Sequence, residues 1–400
     1  MTQKNASFES LIGKTALVVS SDWLWPCNYA ARIDVMDRVR SLSSLGVVVD
    51  LLVTAGKHDL NVGSEDLSIH LRSIKAIQRR TGFFDMLGFS SPGQVFSRRK
   101  LSTIEINQKY DFLILEGHYV GDVIKNNTIT STHKILRVNN DERTYFWELA
   151  KSRIRFSSIY YMLESLRFSS YQTDLMKQVR SWMISSEKEY ENFKTLATEV
   201  NAKSIFLPPN VDIKSCPVSN DANNVIFIGT LLMPNNFGGI QWYLKHVHPL
   251  LLDIGGYHLT IAGNTGTAEE SKYFEDFFST FENVTLVKSP KSTEVLYEQA
   301  SVFINPMLYG AGIKLKTVHA LAVGLPVVST SVGNEGTCMR NNLEILERDD
   351  VEDFAEGVRS LLRNKRDRIF LAENALKRLR QIYDQRSSLG NFLVELSRDS

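Results

Sequence analysis

Cysteine is scarce: the 400 residues hold three, Cys27, Cys216 and Cys338. An odd number without metal-ligand spacing excludes a disulfide framework and a zinc site, and points to a reducing compartment such as the cytoplasm. Long apolar runs are missing as well. None approaches the roughly 20 residues needed to span a bilayer, and Met1 to Ser10 lack the apolar core of a signal peptide. Membrane contact is therefore expected only at the periphery, on the inner face. Charge of one sign is not in excess either. The net charge is +1, whereas nucleic acid as the main partner calls for a strongly basic domain or stripe. His246, His248 and His258 lack the spacing of a metal set and are expected to be structural, and no metal is expected elsewhere. Gly263-Asn-Thr-Gly266 carries neither Gly-x-Gly-x-x-Gly nor the Lys-Ser/Thr of a phosphate loop.

What is present is an ordinary globular composition, 43% apolar and 23% charged. Its length exceeds what one hydrophobic core normally covers, so two domains are expected. The most informative stretch runs from Asn305 to Gly336. Val302-Phe303-Ile304 predicts a buried parallel strand, and a Gly-punctuated turn through Gly310 and Gly312 leads into a helix from about Ile313 to Ala322. A helix N-terminus offers unpaired N–H groups and the positive end of the peptide dipole, while Lys314 and Lys316 add formal charge. That combination suits a diphosphate. Gly324 and Pro326 end the helix, and Val327 to Thr330 resumes an extended strand toward a second glycine turn at Gly333 and Gly336.

The same residues read Pro-x-x-x-Gly-x-Gly-x-x-x-Lys-x-x-x-Ala-x-Ala-x-Gly-x-Pro-Val-Val. This resembles the donor-binding signature of family 4 glycosyltransferases with the GT-B fold. The resemblance implies two doubly wound Rossmann-like α/β domains facing a central cleft. It also implies a turn at Tyr309, Gly310, Ala311, Gly312 and Ile313 that holds a sugar nucleotide's diphosphate, with Lys316 as a phosphate contact. His319 stands where family members carry a ribose-binding Glu, and Ala311 where the earlier Glu of the pair falls. Many members place an Arg and a Lys after the first strand of the second half; this chain has Gly229, Thr230 and Asn235 there, with Thr230 and Asn235 as candidate hydrogen-bond donors.

In chain order, Lys14 to Ser21, a helix over Ala31 to Leu45, and Val47 to Val53 predict an opening βαβ unit. The loop after the first strand faces the ligand crevice, and Trp23, Trp25 and Tyr29 either touch a ligand or, for the tryptophans, cover a hydrophobic edge. From Lys75 to Lys100 the chain is basic and aromatic, including Arg79, Arg80, Phe83, Phe84, Phe89, Arg98 and Arg99. Such a stretch either docks on an anionic membrane surface or is a loop and helix with core aromatics and solvated arginines. Tyr110 to Glu116 predicts a buried strand that places His118 at its carboxyl end, where a catalytic or acceptor-contacting group would sit. Lys134 to Val138 leads into Asn139 to Tyr145, which resembles the Arg-x-His-Asn-x-Glu-x-x-Tyr segment of some family members. Arg137, Asn140, Glu142 and Tyr145 match, while Asn139 replaces the His with an amide that takes up no proton. Over 146–194 helices are expected, with Trp147, Leu149, Ile154, Ile159, Leu163 and Leu166 buried and Arg153, Arg155, Arg167 and Lys177 exposed. Val179 to Ser186 predicts the last strand of the first half.

The domains are expected at 1–207 for the acceptor and 225–370 for the sugar nucleotide, joined by a linker over 208–224. Helices over 371–400 return to the first domain if the resemblance holds. Glu335 follows a crevice-facing strand, where it binds donor sugar hydroxyls or ribose, or is a turn residue. The function so implied is transfer of a sugar from a nucleoside diphosphate sugar to a glycan, lipid-linked or small-molecule acceptor in polysaccharide or glycoconjugate biosynthesis. Configuration would be retained, the donor would be a substrate and not a bound cofactor, and Lys316, His118 and Asn139 would lie nearest the chemistry. The alternatives are a sugar-nucleotide epimerase on the same fold and a non-catalytic sugar-nucleotide-binding protein.

Overall fold

The structure, a computed structural model, describes residues 8–25, 30–56, 70–80, 91–151, 156–217, 221–290, 292–310 and 312–398. The chain divides into two units, Met1–Asn210 with Asp384–Ser400, and Val211–Tyr383. In the first unit, short runs rich in Val, Leu and Ile form most of a seven-stranded sheet. Its strands are β1 (Thr15–Ser20), β2 (Val48–Ala55), β3 (Ser73–Gln78), β4 (Gln108–Glu116), β5 (Ile129–Val138), β6 (Ser181–Ile184) and β7 (Lys203–Phe206). All neighbours pair in parallel, in the order β3-β2-β1-β4-β5-β6-β7. Parallel strands need crossover helices, supplied by α1 (Ala30–Ser44), α2 (Glu142–Lys151), α3 (Phe156–Gln178) and α4 (Glu187–Glu199).

The second unit repeats the topology with β8 (Asn224–Ile228), β9 (His258–Gly263), β10 (Val284–Lys288), β11 (Val302–Asn305), β12 (Val327–Ser329) and β13 (Leu346–Glu347). Its order is β10-β9-β8-β11-β12-β13, again all parallel. The helices are α5 (Pro234–Trp242), α6 (Ala268–Phe278), α7 (Glu294–Glu298), α8 (Leu315–Ala322), α9 (Val351–Arg363) and α10 (Lys365–Ile382). Strand order reverses between β1 and β4 in one sheet and between β8 and β11 in the other. At such a reversal the crossovers leave on opposite faces, so a crevice opens outside the carboxyl ends of the two strands. The last helix, α11 (Gln385–Arg398), buries Leu389, Phe392, Leu393 and Leu396 in the core of the first unit, while α10 stays with the second.

A buried charge network anchors that return. Arg38 of α1 bonds Asp34 (2.5 Å) and Glu116 at the end of β4 (2.5 Å), and Arg137 of β5 bonds Asp34 (3.1 Å). Arg137 also donates to the carbonyl of Leu207, and Gln385 donates to Asp34 (3.4 Å) and to the carbonyl of Pro208 (3.3 Å). Burial alone would raise the Asp34 carboxyl, but Arg137 and Arg38 hold it below its ordinary value. For Glu116 burial wins over Arg38, and its carboxyl is raised. Two guanidiniums face two carboxylates, so each buried charge of the network has an opposite one beside it.

Several expectations are corrected. Ile159, Leu163 and Leu166 are exposed (57%, 42% and 63%), as is Trp147 (44%), because α2 and α3 bury Phe146 and Phe168 against each other instead. Arg167 is held by Glu164 at 2.8 Å rather than solvated. The stretch from Lys75 begins in β3, and Arg98 is neither solvated nor free for a membrane. It is 4% exposed and donates to the carbonyls of Ser21 and Gln94 and to the hydroxyls of Thr54 and Ser97. Trp23 and Trp25 pack on the core of the first unit, so they cover a hydrophobic edge. Cys27, Tyr29, Phe83, Phe84 and Phe89 lie outside the described residues. The region beyond Gly336 contains β13 as well as helices. Among the described residues no helix is long and apolar enough to cross a membrane.

Removing one partner from a buried ion network strands the others. Arg38→Met should therefore lower unfolding stability in urea by about 3–5 kcal/mol. Arg40→Met, which breaks the more exposed pair with Asp37 (3.1 Å), should change it by less than about 1 kcal/mol. Equal losses would show that the network does not anchor the unit.

Candidate functional site

At the reversal in the second sheet, β11 ends on Asn305, which is fully buried. Its amide donates to Thr317 Oγ1 (2.8 Å) on α8 and to the carbonyl of Gly333 (3.0 Å) after β12. Thr317 Oγ1 donates in turn to that carbonyl (2.8 Å), and Thr330 Oγ1 donates to the carbonyl of Met307. Three segments are thus tied where their strands end. Gly333 has to be glycine, since a Cβ there would stand 2.4 Å from the Asn305 carbonyl oxygen.

From this knot the chain turns through Gly310 and Gly312 at φ +143° and +76°, conformations that L side chains rarely adopt. A Cβ on Gly310 would lie 2.9 Å from Met307 Cε and 3.2 Å from Asn235 Nδ2, so the turn is packed against α5. Lys314 occupies the N-cap of α8 and provides no side-chain cap. The first amides of α8 are left without an intrahelical acceptor, at the positive end of its dipole. Helix α8 begins at Leu315, two residues later than expected from the sequence.

Lys316 projects from the first turn of α8. Its ammonium donates to Asn236 Oδ1, lies 3.4 Å from Met307 Sδ and sits 4.9 Å from the centre of the Phe227 ring. Burial and the neighbouring Lys314 push its pKa down to about 7. Lys314 is 5% exposed and donates to the carbonyl of Gly312 (2.6 Å) and to Glu335 Oε2 (3.2 Å). Asn236 also donates to the carbonyl of Thr230 (2.9 Å), and a Cβ on Gly229 would come within 3.2 Å of its amide. Gly336 closes on Ile313, where a Cβ would stand 2.9 Å from Ile313 Cα. Tyr309 is 53% exposed and lies beside Gly238. His319 is half-buried, burial lowers its pKa, and its ring makes no hydrogen bond among the described residues. The structure therefore brings Gly229, Thr230, Asn235, Gly310, Gly312, Ile313, Lys316 and Glu335 to one edge of the second sheet. Ala311 lies outside the described residues.

In the first unit, Gly117 at φ +96° turns the chain after β4 and sends His118 inward. His118 is 1% exposed, and both ring nitrogens are buried without a hydrogen-bond partner among the described residues. Burial pushes its pKa down to about 4, against the opposing charge of Asp141, so the ring is neutral near pH 7. Asn139 follows β5 close by: its amide lies 3.9 Å from where a Gly117 Cβ would stand, and its carbonyl accepts from Ser185 Oγ (2.9 Å). Of the matched segment, Arg137 belongs to the buried network and Glu142 is buried, accepting from Tyr119 (2.7 Å). Burial raises the Glu142 carboxyl to about 7. Sequence reasoning missed Asn236, Phe227, Asn305 and Thr317. Asn305 and Thr317 carried a signal, as single polar residues in Val-Phe-Ile-Asn and on the buried face of an apolar helix. Asn236 and Phe227 carried none.

The model of the family Glycosyl transferases group 1 matches residues 222–364. A relative from Klebsiella pneumoniae, described as an uncharacterized 44.6 kDa protein in the cps region, is 34% identical over 394 residues, covering 95% of this chain and 99% of the relative. The chain belongs to the group 1 glycosyltransferases. Among solved structures it is similar to TarM of S. aureus, with TM-score 0.66 and 11% identity over 96% of this chain and 98% of that one. It is also similar to HepE of Anabaena, solved with UDP-glucose, with TM-score 0.60 and 10% identity over 96% and 100%. The pneumococcal O-GlcNAc transferase GtfA, solved with UDP and GlcNAc, gives TM-score 0.60 and 10% identity over 96% and 99%. At these identities the likeness is one of fold, and the fold is GT-B.

The depressed Lys316 titration has a sign that can be checked. The ammonium titrates near its ordinary 10.5 when unfolded and near about 7 when folded. Between those values the unfolded chain binds more protons, so wild-type stability rises with pH across the window. Lys316→Met lacks this dependence. Thermal melts of both proteins without ligand should show the variant's relative stability highest near pH 7 and declining toward pH 10. A difference independent of pH would place Lys316 in water.

Proposed function

We propose that this glycosyltransferase binds a nucleoside diphosphate sugar at the carboxyl edge of the second sheet and transfers the sugar to an acceptor held by the first unit. The observation that carries the reading is Lys316, a half-buried ammonium whose bonding partners among the described residues are neutral, beside the open first turn of α8. When the bond from the anomeric carbon to the donor phosphate breaks, negative charge grows on the departing diphosphate. Lys316 and the N–H groups of α8 are fixed in advance to receive it, and such preorganised donors stabilise developing charge more than water does. The acceptor hydroxyl forms the new bond and its proton passes to the departing phosphate oxygen, so no separate base is required. Lys316 and α8 supply the positive charge that a metal would otherwise bring, and the family resemblance supports retention of configuration. Glu335, from its place after β12, and His319, on the strength of the family resemblance, are assigned to the donor sugar hydroxyls or ribose. His118, neutral and with unpartnered nitrogens, and Asn139 are assigned to the acceptor side. The UDP-glucose seen with HepE and the UDP seen with GtfA support a sugar nucleotide, and the relative's place in the capsule (cps) region supports a glycan or lipid-linked acceptor in polysaccharide synthesis.

The test is turnover. Free nucleoside diphosphate should be released from a donor found by thermal-shift screening only when acceptor is present. Lys316→Ala should lower kcat/KM by about one to two orders of magnitude, at about 1.4 kcal/mol per factor of ten. Unchanged kinetics in the variant would remove Lys316 from the diphosphate site. Interconversion of two sugar nucleotides without acceptor would replace transfer by epimerisation.

A further inference from the structure

At the carboxyl ends of β1, β2 and β3 the first sheet gathers three arginines that no carboxylate bonds among the described residues. Arg79 and Arg80 follow the carboxyl end of β3, and their backbone amides bond the carbonyls of Ala55 (2.9 Å) and Ser97 (3.0 Å). Arg79 and Arg80 are thereby held beside Arg98, which is 4% exposed and, among the described residues, bonds only neutral acceptors: the Ser21 and Gln94 carbonyls, the Gln94 side-chain oxygen, and the hydroxyls of Thr54 and Ser97. Asp22, the carboxylate that acts on Arg98, is already bonded to Arg32 at 3.3 Å. Burial and the charge of Arg79 push the Arg98 pKa down to about 10. Arg79 Nε is itself buried without a hydrogen-bond partner among the described residues. Buried or clustered cations are ordinarily matched, as Arg38 and Arg137 are ion-paired in the same unit; Arg79, Arg80 and Arg98 form no ion pair among the described residues.

We propose that Arg79 and Arg80 form an anion site at the carboxyl edge of the first sheet that takes a phosphate or diphosphate group of the acceptor. Arg98 stands behind them, adding its field and ordering the edge through Ser21 and Thr54. A guanidinium's planar fork suits two phosphate oxygens at once, which a lone surface lysine cannot match. The assignment of this anion to the acceptor rests on the transferase reading above. It also gives the basic stretch before residue 100 a task other than docking on a lipid surface.

Inorganic pyrophosphate is the probe, titrated by calorimetry into the full chain, into Lys316→Ala, and into Lys316→Ala combined with Arg79→Gln and Arg80→Gln. Equal melting temperatures of the last two certify folding. Binding should persist in Lys316→Ala, weaken with salt, and fall at least tenfold in the triple variant. If the triple variant binds as Lys316→Ala does, the arginines are structural and the site is overturned. If Lys316→Ala alone removes all binding, the site is likewise overturned while the donor site stands. If Lys316→Ala changes nothing but the arginine changes do, the donor assignment fails and the anion site survives. Competition then identifies the source. Displacement by a polyprenyl diphosphate sugar in detergent or by a soluble sugar 1-phosphate supports the acceptor assignment and says which kind is used; displacement by neither overturns it.

Discussion

The donor edge depends on one buried amide. Asn305 sits at the end of β11 with no access to water, and its two N–H groups are spent on Thr317 and Gly333. An unmade hydrogen bond at such a place costs about 1–3 kcal/mol, so helix α8 and the turn after β12 are held in one relation to the strand. That relation sets the direction in which the first turn of α8 points and the place where Lys316 emerges. The glycines follow from the same constraint. Gly310, Gly333 and Gly336 lie where the tied segments approach too closely, or turn too sharply, for a side chain.

The two units treat charge differently in depth and at the edge. Deep in the first unit, Arg38 and Arg137 are balanced by Asp34 and Glu116, and the network's work is to fasten α1, β4, β5 and the returning α11. At the carboxyl edges the cations rest, among the described residues, on neutral partners: Lys316 on Asn236, Met307 and Phe227, and Arg98 on carbonyls and hydroxyls. Leaving a cation in that state costs stability in the empty protein. It is the expected signature of a surface that receives anions, and it appears at the place in each sheet where the fold opens its crevice.

The sequence made the donor edge legible because its signal is local. Strand, glycine turn, helix and second turn lie within about 35 consecutive positions, and each is punctuated by residues with one conformational meaning. What it hid depends on distant partners. Asn236 meets Lys316 across 80 positions of chain, and nothing in either neighbourhood announces it. Arg98 reads as a solvated arginine in a basic run, and its burial depends on the ends of β1 and β2. Ile159, Leu163 and Leu166 have the spacing of a buried face, yet helical periodicity states only that they share a side. Packing of Phe146 on Phe168 turned that side outward. The edge strand β3 was missed for the complementary reason: Ser-Ile-Lys-Ala-Ile-Gln is mostly exposed and lacks the apolar run of its neighbours.

The most direct test of the account is a crystal structure with a bound nucleoside diphosphate sugar. The account predicts the diphosphate against the first turn of α8, with a phosphate oxygen within hydrogen-bond distance of Lys316 Nζ, displacing Asn236 from that ammonium, and with the Gly310–Gly312 turn along its side. A diphosphate bound elsewhere in the chain, with Lys316 still resting on Asn236, would contradict it.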